Sequence, residues 1–265
     1  MSLHYYPRET AHIFNLTSLQ TFSLCNSCNS VLIFLPSYSL LRRCSTVWQT
    51  ADPHGSSGTV PVWERLIMSK KHVIVEPTGG QEEFELAKDE YKASVATNGG
   101  CVLLAVYRGK MSEGISFNDN NARCVICVGV PLPNYQDRAI VSKRAYNDEQ
   151  RALHKRTDLL SGNEWYKQQA YRALAQALGR CIRHCADYGV VVLMDERHCD
   201  DGSSMRDGDG LPDAHRHLPK WMRHHVKNLD SSDQPLVRFI WKARLVCEPK
   251  IGLLKLVYRT LSALW

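Results

Sequence analysis

The segment RALAQALGRCIRH, residues 172–184, places Gln176, Arg180 and Arg183 at successive offsets of four and three, the spacing that sets side chains on one face of a helix. Two guanidinium groups one turn apart suit phosphoryl transfer. Charge builds on the equatorial oxygens of the group in flight, and a rigid bidentate cation meets it well. Gln176 would orient the attacking water or sense the phosphate, and Gly179 leaves room beside Arg180. The competing reading is a solvated basic helix face. Ala173, Leu174, Ala177, Leu178 and Ile182 form the apolar side of the same stretch.

A second chemical segment, RGKMSEGISFND at 108–119, follows an apolar run directly. Functional loops lie at the carboxyl ends of parallel strands. Gly109 and Gly114 permit tight turns and close backbone approach. Lys110 and Ser112 are donors for phosphate oxygens, and Glu113 suits a ribose hydroxyl or a partner arginine. An ordinary polar strand–helix loop is the alternative. Gly109-Lys110 is not the end of a phosphate loop: that pattern needs glycine at 104 and Ser or Thr at 111, where the chain has leucine and methionine. In LMDERH, 193–198, Asp195 and Glu196 are expected to anchor basic side chains rather than magnesium. No metal site is expected. Asp195 with His198 is kept as the basis of an unrelated α/β enzyme.

These groups need a scaffold, and the apolar runs supply one. Strands are predicted at 31–36, 72–77, 101–109, within 122–133, and at 188–196. Helices are predicted from Ser37 to about Thr50 and from Gln81 to about Ala96, then within 136–158, 164–185 and 218–226. The strands are apolar on both faces and alternate with helices, which favours a parallel sheet covered on both sides. Residues 51–61 and 200–210 read as loops. The stretch 236–265 holds apolar runs that would cover a sheet edge or form a tail. Domain limits are set at 1–29 (an extension or domain edge), 30–227 and 228–265 (a C-terminal extension).

The 265 residues include 33 Lys and Arg against 27 Asp and Glu, a net charge of +6, with 44% hydrophobic residues. This is enough for a substantial core, and the mild basicity permits a nucleic-acid partner without requiring one. No apolar run reaches transmembrane length, and the first residues lack the pattern of a secretory signal; no membrane partner is expected. The ten cysteines are irregularly spaced, and only Cys25 and Cys28 form a CxxC. Cys101, Cys124 and Cys127, inside strand-like runs, read as small buried hydrophobes.

Together, LIFLPSYSLL (32–41), VIVEPTGG (73–80), AVYRGKMSEGISFNDNNARCVICVGVPLPN (105–134) and NEWYKQQAYRALAQALGRCIRHCADYGVVVLMDER (163–197) resemble the second motor domain of the XPD-like iron–sulfur superfamily 2 DNA helicases, the group J type in particular. The resemblance spans roughly residues 20–226. It implies a RecA-like, P-loop NTPase-like three-layer α/β fold with a mostly parallel sheet. Gln176, Arg180 and Arg183 would line an ATP cleft, the two arginines as fingers. Gly109, Lys110, Ser112, Glu113, Gly114 and Gly179 would bind ATP or couple its state to DNA. Ser37, Tyr38, Lys110 and Ser112 would lie on the DNA path. The implied ligands are ATP and Mg2+ in a complete motor, with single-stranded DNA or DNA junctions as the nucleic-acid partner. The implied protein partner is a first motor domain, in cis or in trans, and the implied location is the nucleus. The iron–sulfur cluster of full-length relatives would not be bound by this chain. Ser116 departs from the acidic residue or asparagine that many relatives carry there.

Overall fold

The computed structural model describes residues 30–50, 60–68, 72–97, 100–115, 117, 119–182, 189–198, 213–223, 226–229 and 253–258. Among the described residues, seven strands form one parallel sheet: β1 (Ser30–Leu35), β2 (His72–Val75), β3 (Cys101–Val106), β4 (Cys124–Val128), β5 (Gly189–Met194), β6 (Val226–Leu229) and β7 (Leu253–Tyr258). Their spatial order is β2-β3-β1-β4-β5-β7-β6. The central register pairs Ile33 with Leu104 on one side and with Ile126 on the other. β7 falls inside the apolar stretch 236–265. It enters the sheet between β5 and β6 instead of lying over an edge.

The described α-helices are α1 (Tyr38–Thr50), α2 (Val62–Met68), α3 (Gln81–Ala96), α4 (Lys110–Gly114), α5 (Arg138–His154), α6 (Gly162–Leu178) and α7 (Lys220–Arg223). Strands β1, β3, β4 and β5 are buried at every residue, as expected of a sheet covered on both faces. Alternate side chains feed two apolar layers. Leu32, Phe34, Leu103, Val125 and Val191 pack with Phe84 of α3 and Leu174 of α6. Val31, Ile33, Leu104, Ile126 and Val192 pack with Leu41 and Trp48 of α1 and Leu66 of α2. The result is the expected three-layer α/β domain, consistent with a RecA-like helicase domain.

Local chemistry sets the helix boundaries. At the start of α6, the Ser161 hydroxyl accepts from the Glu164 amide at 3.2 Å, while the Glu164 carboxylate accepts from the Ser161 amide at 3.0 Å. This reciprocal capping box satisfies two otherwise orphan donors. Ser37 caps α1, its hydroxyl accepting from Leu40 N. Asp137 caps α5 through Ala139 N at 2.8 Å.

The predicted 164–185 helix is shorter than the periodicity implied. It ends at Leu178, with Gly179 as its cap. Arg180 N then bonds to the Ala177 carbonyl and Cys181 N to the Leu178 carbonyl, three-residue closures that tighten the chain into a turn. Arg180 therefore leaves the helix axis instead of continuing the face of Gln176. Arg183, like Cys25, Cys28 and Ser116, lies outside the described residues.

Candidate functional site

β1 is central, with β3 on one side and β4 on the other. The chain builds the β2–β3 edge first and then crosses to β4 and β5. The carboxyl ends of β1, β3 and β4 thus flank the point where the connections reverse, the usual ligand crevice of open α/β sheets. The two chemical segments predicted from sequence meet beside this edge.

The loop from β3 is stitched to α6 along its length. Arg108, with φ of 59°, donates to the Gln169 carbonyl on α6. Gln176 Nε2 reaches Glu113 Oε1 at 3.5 Å, at the long end of hydrogen bonding. Arg180 donates to the Ile115 carbonyl at 3.2 Å, and its guanidinium lies 5.8 Å from the centre of the Phe117 ring. Gln176 is exposed and Arg180 half-buried. Glu113 thus faces α6, and the Ile115 backbone fixes the rotamer of Arg180. Lys110, exposed, donates from Nζ to the Gly79 carbonyl at 3.1 Å, bridging this loop to the turn before α3.

Ser112 was expected to present a donor to phosphate or DNA, but it is buried at 2% exposure, on the inward side of the short helix α4. Gly179 was expected to make room beside Arg180. A β-carbon there would meet only ordinary contacts at 3.4 and 3.6 Å, so the residue serves as the end of α6. The close approaches belong to Gly109 and Gly114 and are internal: a β-carbon at Gly109 would stand 2.3 Å from Glu76 Oε1, and one at Gly114 would stand 2.5 Å from Phe84 Cζ. Ser37 is occupied as a helix cap, and the Tyr38 hydroxyl donates to Glu76 Oε1 at 2.9 Å.

Two contributors were not singled out from the sequence, Glu76 and Arg108, while Phe84 was legible only as an apolar position of its helix. Glu76 had one usable signal, a carboxylate ending an apolar strand just before a proline. Arg108 had none, because its left-handed backbone and its α6 partner are set by the tertiary structure.

Asp195, at the end of β5, anchors a cation. Its carboxylate takes Arg197 Nε at 2.7 Å, Arg197 NH2 at 2.6 Å and the Arg197 amide at 3.0 Å. Burial alone would raise this carboxyl, but the Arg197 hydrogen bonds and charge outweigh it and hold it below the ordinary carboxylate range. A carboxylate with both oxygens so held does not fit a magnesium ligand. His198 is buried at 1% exposure, stacked 6.0 Å from His215 and edge-on to Tyr171 of α6. Burial holds it down to about 4, opposed by the Asp195 charge. A neutral imidazole so enclosed packs the core and has no exposed face from which to act as a base.

Among the described residues, no group of three or more His, Cys, Asp or Glu side chains is placed to hold a metal ion. No described helix is long and apolar enough to cross a membrane. Cys101, Cys124, Cys127 and Cys181 are buried. The Cys181 sulfur packs so near Gly189 that a β-carbon there would lie 2.3 Å from it.

The region that contains this edge matches known proteins. A family model described as a helicase C-terminal domain matches residues 21–224. The Fanconi anemia group J protein homolog of Gallus gallus is 40% identical over 203 residues, 75% of this chain and 14% of that protein. The regulator of telomere elongation helicase 1 homolog of Drosophila ananassae is 37% identical over 198 residues, 75% of this chain and 18% of that protein. The corresponding Caenorhabditis briggsae homolog is 36% identical over 207 residues, 77% of this chain and 19% of that protein. The chain thus spans less than a fifth of the length of these relatives. With strands β1 to β5, the β3 loop and the Gln176–Arg180 segment all inside the matched region, the chain belongs to the helicase C-terminal domain family.

Proposed function

We propose that this chain is the second motor domain of an ATP-dependent DNA helicase of the iron–sulfur, group J type. It would act with a first motor domain supplied in cis or in trans. The observation that carries this reading is the junction of the β3 loop with the end of α6. There Glu113 meets Gln176 at 3.5 Å and Arg180 is held by the Ile115 carbonyl at 3.2 Å. Such an edge presents an amide and a guanidinium to a polyphosphate bound between two domains. Arg180 and Gln176, joined by Arg183, would bind and orient the γ-phosphate of ATP, and the guanidinium would stabilise charge that develops in the transition state. Their donor chemistry fits the phosphates. Magnesium and the phosphate cradle are assigned to the first motor domain, since Leu104 and Met111 break the phosphate-loop pattern and Asp195 is engaged by Arg197.

The DNA side is assigned to Lys110 and to the strand-end segment around Ser37 and Tyr38, contacting backbone rather than bases. Single-stranded DNA or a junction is the proposed nucleic-acid partner. Translocation is proposed to run 5′-to-3′, and the location to be the nucleus, as the resemblance to the iron–sulfur helicase family implies. A catalytically inactive nucleic-acid-binding module is the alternative.

Mixing the chain with a first motor domain that carries the phosphate loop and acidic box tests the proposal. ATP-dependent translocation on single-stranded DNA that appears on mixing, and is lost with Arg183→Ala, is the expected result. Salt-sensitive DNA binding without any ATP turnover from the folded pair would establish the inactive module instead.

A further inference from the structure

Glu76 has no part in the chemistry described above, yet its carboxylate is met by donors from three separate segments. It follows β2, is 2% exposed and accepts three hydrogen bonds. Oε1 takes the Tyr38 hydroxyl at 2.9 Å and the Met111 amide at 3.1 Å, while Oε2 takes the Val106 amide at 2.7 Å. The donors come from three places: the first residue of α1, the last residue of β3 and the second residue of α4. Gly109 lies against the same carboxylate, with no space there for a side chain. The Glu76 amide itself continues the ladder to the Leu104 carbonyl at 2.8 Å. The side chain thus replaces a strand neighbour where β2 stops, and it fixes both ends of the tight turn that launches Lys110 and Glu113.

We propose that Glu76 is a positioning residue for the coupling loop. Its carboxylate, oriented by the Tyr38 hydroxyl, would hold residues 106–114 in the one geometry that presents Lys110 outward and Glu113 toward Gln176. Carboxylates accepting backbone N–H groups make strong, directional, charge-assisted bonds, and a buried one enforces its geometry because each donor lost there goes unpaired. Burial, followed by the charge and hydrogen bond of Glu76, pushes the Tyr38 hydroxyl up to about 12. The phenol therefore remains a donor at neutral pH. Tyr38 is also the residue assigned to the DNA path, so the Tyr38–Glu76 bond connects that segment to the loop beside α6. This role rests on the half-motor reading for its consequence in turnover, but not for its structural content.

The test has two arms. In the full chain, Glu76→Gln keeps the size of the side chain but turns an amide donor toward the Val106 or Met111 N–H. Hydrogen exchange should then quicken by about tenfold or more across 106–114, while β4 and β5 keep their protection. Tyr38→Phe, which removes one hydroxyl and leaves the packing, should give a smaller change in the same peptides. In the pair with a first motor domain, both variants should lower kcat of DNA-stimulated ATP hydrolysis, Glu76→Gln by about tenfold or more, with KM for ATP within about twofold. Unchanged exchange at 106–114, or an equal loss of protection through β4 and β5, would overturn the positioning role. So would an unchanged kcat in a working pair. A wild-type pair that turns over no ATP sinks the half-motor reading, and the exchange arm alone then decides the role of Glu76.

Discussion

Gly109 and Glu76 are in van der Waals contact across the end of the sheet, so close that a β-carbon on Gly109 would stand 2.3 Å from Oε1 and 2.7 Å from Oε2 of the carboxylate. That carboxylate has little freedom to retreat, since Tyr38, Val106 and Met111 all donate to it. Gly109→Ala should therefore displace the loop or the carboxylate and destabilise the domain by about 1–3 kcal/mol, as overpacking does. Urea unfolding measures this. A change below about 0.5 kcal/mol, the scale of a neutral surface substitution, would show that the contact is relieved freely.

Arg180→Ala separates stability from catalysis. The variant loses the bond to the Ile115 carbonyl, which is worth about 0.5–1.5 kcal/mol in unfolding. In the pair with a first motor domain, kcat should fall by about 10³-fold or more if the guanidinium meets the transition state. Steady-state ATP hydrolysis with saturating single-stranded DNA reads the difference. A kcat within a few-fold of wild type would remove Arg180 from the finger role.

The capping box of α6 gives a pH-dependent prediction. Hydrogen bonds from the Ser161 hydroxyl and then the Ser161 amide hold the Glu164 carboxyl below its ordinary value of 4.5. A depressed folded value means that the contribution is complete above 4.5 and is lost as pH falls through the lower folded value. Ser161→Ala should cost about 1 kcal/mol at neutral pH. Thermal unfolding should show that cost shrinking in acid, as Glu164 protonates in both proteins.

Arg197→Ala should reverse a pH dependence. With Arg197 present, Asp195 is held below its ordinary 3.8, so its contribution stands above 3.8 and fades as pH falls through the folded value. Without Arg197, burial is left as the dominant influence and raises the folded value. Stability would then be greatest below 3.8 and would decline as pH rises through the raised value. At neutral pH the loss should be about 1–3 kcal/mol, toward the lower end because the Arg197 side chain is 43% exposed and screened by solvent. Denaturant unfolding across pH checks the sign.

Thiol labelling tests the core. Burial pushes Cys44 and Cys127 up to about 12, and thiols react as thiolates. Peptide mapping after maleimide treatment at pH 8 should find both unlabelled in the native chain and fully labelled in denaturant. Native labelling of either would mean that β4 or α1 opens readily.

Much of the scaffold was legible because burial imprints itself on local sequence. The runs of β1, β3, β4 and β5 are apolar at nearly every position, and such continuity marks strands covered on both faces. Helix α3 carried Phe84 and Tyr91 at helical spacing and came out at the predicted limits, Gln81–Ala96. The end of α6 was less legible. Residues 179–182 keep a helical pattern of types, but the chain turns at Gly179 so that Cys181 can pack beside Gly189 and Arg180 can reach Ile115. Helix α2 was not foreseen: the short VWERLIM run buries only Val62 and Leu66, too little period to read.

By itself, the sequence determined the class of fold and the neighbourhood of Gln176, Arg180, Lys110 and Glu113, since periodicity and residue type report burial and charge locally. Tertiary structure alone decided which strand ends become neighbours: β1 lies between β3 and β4, and β7 lies between β5 and β6. It also decided that Glu76 would meet Met111 across 35 residues and that Arg180 would meet Ile115 across 65. The reason is physical. A hydrogen bond between distant residues forms only after the sheet has fixed its order, and no local pattern encodes which buried carboxylate will find which amide.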